Sequence, residues 1–231
     1  IVTVLLSGVF VTSALAQGTV LLVLDHRFAG KSLLLQDTPY YTETGDSLFV
    51  DVVRYYISGV ELIKDGQAIF QEPNSYHLID LETPGSAQIV FEKVPSGHYD
   101  AIRFMVGTDS LSNVSGANRG DLDPSLGMYW AWNSGYINVK IEGRSNASAT
   151  RRHAFEFHIG GYMPSFQTIR PVILPLNHFQ VVDNNAVYIP VVADLALFFR
   201  NIDLSETNQV MIPSKMATRL ADYFSGVFSV E

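Results

Sequence analysis

Apolar and polar residues alternate with a period close to two along much of this chain. The stretches are 19–28 (TVLLVLDHRF), 48–63, 98–107, 136–143 (YINVKIEG), 153–161 (HAFEFHIGG) and 186–195. They are rich in β-branched and aromatic residues, the signature of strands with one buried face. Turn-forming clusters separate them: KDGQ at 64–67, EPNS at 72–75 and VPSGHYD at 94–100. One segment has a different period. In 213–228, Met216, Leu220, Tyr223, Phe224 and Val227 recur at spacings of three and four behind Pro213 and a capping Ser214, which predicts a helix. No helical pattern alternates with the strands. The chain therefore reads as all-β, an antiparallel β-sandwich with long loops and a short C-terminal helix.

Composition narrows the function classes. The 231 residues are 47% hydrophobic and 16% charged, enough apolar material for a buried core. A net charge of −8 offers no basic stripe for a phosphate backbone, so nucleic acid is not an expected partner. The opening run, IVTVLLSGVFVTSALAQG, is uncharged and reaches Ala14-Leu15-Ala16, the small-x-small pattern at which signal peptidases cut. It falls short of the ~20 residues that cross a bilayer. Residues 1–16 are thus read as the end of a secretory signal and 17–231 as a single domain without a membrane span, periplasmic or secreted. There is no cysteine, which excludes disulfides and thiolate sites and leaves histidine, methionine and carboxylates as metal donors.

Two regions carry candidate chemistry. Residues 108–127 are dense in Asp, Asn, Ser and Gly, and Asp109, Asp121 and Asp123 suggest a cation loop, although their spacing is not that of an EF-hand. Function placed there would make the protein a calcium- or glycan-binding module. NVS at 113–115 and NAS at 146–148 are formal glycosylation sequons. The second region is GMYWAWNSGY, which holds both tryptophans of the chain. Extended, it would align Met128, Trp130, Trp132 and Tyr136 on one face and put Tyr129 on the other. His26 and His158 sit inside strand patterns. Phe155 and Phe157 fall on the face opposite His158, which shares its own with Glu156 and Gly160. Residue type alone leaves both histidines open between structural and ligating roles. No GxSxG or HExxH motif occurs, so the chain is not read as an enzyme.

Several longer motifs carry a family likeness: LDHRFAGKSL, RYYISGVELIKDG, YHLIDLETPGS, VPSGHYDAIRFMVGTDS, SGANRGDLDPSLGMYWAWNSGYINVKIEG and FHIGGY. Together they resemble the MbnP family, periplasmic proteins associated with methanobactin operons and copper-homeostasis loci, from about residue 19 to residue 228. The resemblance implies an exported β-rich protein that binds copper, Cu(I) or Cu(II). The implied ligands are imidazoles and, in several relatives, a kynurenine made by oxidising a tryptophan. It also implies a partner, a diheme cytochrome c similar to MauG and MbnH, which would make this chain the substrate of an enzyme. Carried over motif by motif, it points to His26 and His158 as metal ligands with Met128 as a soft neighbour. Trp130 and Trp132 become equal candidates for modification, with Tyr129 and Tyr136 as redox neighbours.

Overall fold

A computed structural model describes residues 16–116, 118–132 and 135–231; the signal-like segment at 1–15 lies outside them, as do Asn133 and Ser134. In chain order the strands begin with β1 (Gln17–Phe28), β2 (Lys31–Ser32), β3 (Tyr40–Tyr41), β4 (Ser47–Lys64) and β5 (Gln67–Gln71). Next come β6 (Tyr76–Asp80), β7 (Gln88–Pro95), β8 (Gly97–Val106), helix α1 (Ser110–Val114), β9 (Tyr129–Trp130), β10 (Gly135–Ser145) and β11 (Ala154–Gly160). The chain continues with β12 (Arg170–Val181), β13 (Ala186–Asp194), α2 (Leu195–Phe199), β14 (Gln209–Val210), α3 (Lys215–Ser225) and β15 (Phe228–Val230).

The strands form two sheets. The smaller runs β15-β13-β1-β2, with β7 also on β1; the larger runs β12-β8-β4-β10-β11-β14, with β3, β5 and β6 on β4 and β9 on β10. The sandwich and its C-terminal helix are as the alternation predicts, and neither sheet closes into a barrel. The sheets are mixed, however, because β1 pairs β13 in parallel and β11 pairs β14 in parallel. Strands so distant in sequence are not joined by hairpins, so nothing local forces them antiparallel.

Alternation fixes what lies between the sheets. Along β1 every second residue is buried, and Val20, Leu22, Leu24, His26 and Phe28 share the inner face. Across from them Val53, Tyr55 and Ile57 of β4, Val139 and Ile141 of β10, and Phe155, Phe157 and Ile159 of β11 complete the core. Helix α3 closes one side of this core with Ala217, Leu220, Ala221 and Phe224, spaced three and four apart. Ser214 accepts a hydrogen bond from the Ala217 amide at 3.1 Å, the cap the sequence suggests. Phe224 lies against Tyr55, Phe198 and Phe228 with ring centroids 5.1, 5.9 and 5.7 Å away.

The outer face of the larger sheet carries a second, smaller apolar cluster. Tyr56, Leu122, Met128, Trp130, Tyr136 and Ile137 form it, with Tyr76, Leu78 and Tyr129 at its margin. The covering chain is the segment expected to be a long loop, which instead folds into α1 and two single 3₁₀ turns at Gly120–Leu122 and Pro124–Leu126.

Candidate metal centre on the outer sheet face

The two candidate histidines occupy different places. His26 points inward from β1 and its Nε2 lies 2.8 Å from the Tyr55 hydroxyl, bridging the two sheets. Burial pushes its pKa from the ordinary 6.5 down to about 4, only partly countered by the nearby charge of Asp25. The imidazole is therefore neutral at physiological pH. Burial also holds the Tyr55 phenol neutral by raising its pKa.

His158 points the other way. On β11, Phe157 and Ile159 enter the core, so His158 emerges on the outer face. It pairs in register with Lys140 of β10, which in turn pairs with Arg54 of β4. The larger sheet thus stands between His26 and His158. A metal ion bonds imidazole nitrogen at about 2 Å, so the two cannot share one ion, and the structure does not bring together the pair that the motifs suggest.

What it does bring to His158 is a carboxylate and an indole. His158 Nε2 lies 2.6 Å from Glu142 Oε1, and Lys140 Nζ lies 3.3 Å from the same oxygen. The hydrogen bond from His158 holds the Glu142 carboxyl below its usual range, against the opposing effect of burial and with help from the Lys140 charge. An ionised carboxylate can only accept. Nε2 therefore carries the hydrogen, and Nδ1 is the nitrogen left to offer a lone pair to a metal ion. Among the described residues no hydrogen bond engages that atom. An imidazole held by a carboxylate through one nitrogen, with the other free, is the usual posture of a metal-ligating histidine.

Gly160 is the next residue on the same face, roughly 7 Å along the strand. A Cβ built on it would stand 2.6 Å from the Tyr136 carbonyl oxygen and 2.7 Å from the Trp130 ring. Only glycine admits the indole so close to the backbone. Trp130 is therefore 7% exposed and anchored on Gly160, two residues along the strand from His158, whereas Trp132 is 64% exposed. Their ring centroids are 5.5 Å apart.

The anticipated single row of side chains is instead a hairpin. Trp130 pairs with Gly135 and Tyr129 with Tyr136, because the chain turns at Ala131 and Trp132. Met128 is fully buried in the outer cluster, away from any role as an accessible soft ligand. Tyr129 and Tyr56 pack edge-on against Tyr136 at 5.0 and 5.8 Å. The Tyr136 hydroxyl donates to the Leu122 carbonyl.

The acidic loop is engaged in holding chain. Asp109 caps α1 by accepting from the Ser112 amide at 2.7 Å and also accepts from the Tyr76 hydroxyl. Asp121 accepts from the Leu78 amide at 2.8 Å, and Asp123 accepts from the Ser125 amide at 2.8 Å. These carboxylates tie down three separate pieces of backbone. Among the described residues no group of three or more His, Cys, Asp or Glu side chains is placed to hold a metal ion. Asn113 of the first sequon is buried, and its Nδ2 donates to Thr108 Oγ1 and to the Asp109 carbonyl, so it presents no free amide for a glycan. A cavity of about 440 Å³ between β12, β13 and β15 is lined by Leu174, Tyr188, Phe228 and their neighbours, with none of the candidate ligands.

Glu142 was not singled out by the motifs. Its position two residues beyond Lys140 in an alternating strand was legible, but its partner across the ladder was not.

Fold and site together describe a two-sheet β-sandwich whose larger sheet displays a carboxylate-held histidine beside a tryptophan hairpin. The family model for MbnP matches residues 17–212, and the chain belongs to the MbnP family. Its fold is similar to that of the solved structure "MbnP from Methylosinus trichosporium", with a TM-score of 0.59 and 18% identity over 87% of this chain and 86% of that one. No curated protein sequence matches. Among the described residues no helix is long and apolar enough to cross a membrane.

Proposed function

We propose that this chain is an exported copper-binding protein of copper homeostasis that holds copper on the outer face of its larger sheet, at His158. The observation that carries this reading is the His158–Glu142 pair at 2.6 Å, which fixes the imidazole and frees Nδ1 beside Trp130. Copper itself enters through the family likeness, and an unprotonated imidazole nitrogen suits it in either oxidation state. One imidazole and one carboxylate make a sparse donor set, and a further ligand from the tryptophan hairpin would fit that need.

The same reading makes the chain the substrate of a diheme cytochrome c partner. Trp132, exposed at the turn, is the indole a partner protein reaches; Trp130, on Gly160, is the one whose conversion adds a donor next to His158. Opening an indole to kynurenine creates an aryl amine and a ketone, groups able to bind metal where the indole only donates. The Asp loop offers no comparable arrangement for calcium, since its carboxylates already accept from backbone amides.

Copper uptake by the purified protein tests the site. His158→Ala abolishes stoichiometric binding, whereas His26→Ala retains it in whatever fraction folds; full binding by His158→Ala sinks the proposal. The modification is read separately by coexpression with the cognate diheme protein and peroxide. The tryptic peptide 120–140 holds both tryptophans, and it should show a net gain of one oxygen and loss of one carbon, placed on Trp130 by fragmentation. An unchanged peptide removes the kynurenine reading and leaves the copper site standing.

A further inference from the structure

The outer face holds one more soft donor, contributed by the edge strand next to β11. Strand β14 runs parallel to β11, with Glu156 opposite Gln209 and Phe157 opposite Val210. Side-chain direction follows from two contacts. Gln209 Nε2 donates to Glu156 Oε2 at 2.8 Å on the outer face, whereas Val210 turns into the core, 6% exposed. Beyond the ladder the two chains stay together, because a Cβ built on Gly161 would stand 3.3 Å from Pro213 Cβ. Gln209 and Pro213 therefore bracket Met211, which falls alongside His158. Met211 follows the last residue of β14 and is 40% exposed, in contrast to the core-facing Val210 before it.

We propose that Met211 is the thioether partner of His158 in a site for a soft monovalent cation, Cu(I) or its analogue Ag(I), with the Trp130 indole at its border. This rests on the copper reading given above and adds to it a ligand and a preferred oxidation state. Thioether sulfur and neutral imidazole together select monovalent copper, whereas divalent copper favours nitrogen and oxygen in a tetragonal set. The indole contributes an electron-rich face that attracts a cation without offering a lone pair. Glu142 stays engaged with His158 Nε2 and Lys140, which leaves nitrogen and sulfur as the available donors. Met128, the methionine that the sequence motif brings forward, is enclosed in the outer cluster and takes no part.

The test uses Ag(I), which has no redox chemistry of its own here, on protein made without the oxidising partner. In a Trp132→Phe background the emission comes from Trp130 alone, and one equivalent of Ag(I) quenches it. Met211→Leu, at a partly exposed position where folding is undisturbed, weakens Ag(I) binding by about tenfold or more while Cu(II) binding changes by less than about twofold. His158→Ala removes both. If Met211→Leu binds Ag(I) as tightly as its parent while His158→Ala does not, the thioether assignment is overturned and the copper site remains. Equal loss of Ag(I) and Cu(II) in Met211→Leu makes Met211 a packing residue and overturns the assignment as well. Undiminished binding of both ions by His158→Ala overturns the site itself.

Discussion

His26 and His158 show how far two similar residues can diverge once their strands are placed. Each interrupts an apolar pattern, yet one bridges the sheets through Tyr55 and the other faces outward on Glu142. The difference has a measurable consequence in pH. In the folded protein His26 protonates only near pH 4, whereas in the unfolded chain it does so near 6.5. Between those values the unfolded state binds more protons, so stability falls as pH drops from 6.5 towards 4 and is unaffected by this group above 6.5. The gap corresponds to about 3 kcal/mol across that window. Urea midpoints of the parent and His26→Gln, measured from pH 7.5 to 4, should converge as the pH falls. Parallel curves would show that His26 is not the titrating group.

At the scale of elements, the contact between the β9–β10 hairpin and β11 decides the geometry of the site. It depends on Gly160, where any side chain would meet the Tyr136 carbonyl and the Trp130 ring. Gly160→Ala is expected to cost about 1–3 kcal/mol through overpacking. It should also shift Trp130 emission to the red as the indole is pushed towards water. A variant with the parent's stability and spectrum would refute the close approach. The order of these elements was only partly legible. The strands at 19–28, 48–63, 98–107, 136–143, 153–161 and 186–195 all appear, because each carries enough alternation to declare a buried face. Strand β12 does not announce itself, since Pro171, Pro175 and the bulge around His178 break its pattern. Its edge position tolerates them, because a missing amide on an edge interrupts no second ladder.

For the whole molecule, two apolar clusters on opposite faces of one sheet imply two levels of stability. Phe224 sits in the main core among three aromatic rings, so Phe224→Ala should cost about 3–5 kcal/mol of global stability. Leu122 belongs to the outer cluster. Leu122→Ala should instead raise hydrogen exchange chiefly over 108–132, leaving the amides of β1 and β13 protected. Equal acceleration everywhere would mean that the two clusters unfold as one unit. Under the proposed function, this separation would let the small outer hairpin present Trp132 to the cytochrome partner while the sandwich beneath it stays closed.

The sequence by itself determined six of the longer strands, the C-terminal helix with its Ser214 cap, and the division of β11 into an apolar face and a face holding His158. All of these are local: alternation, helical spacing and capping act within a few residues. The motifs also carried the family. Tertiary structure alone decided that β1 and β13 lie parallel and that His26 faces the core. It likewise turned the tryptophan row into a hairpin seated on Gly160 and set Glu142 against His158. Those placements follow from which strands become neighbours, and pairing between distant segments is chosen by burial summed over the whole sandwich, which no single stretch of the chain encodes.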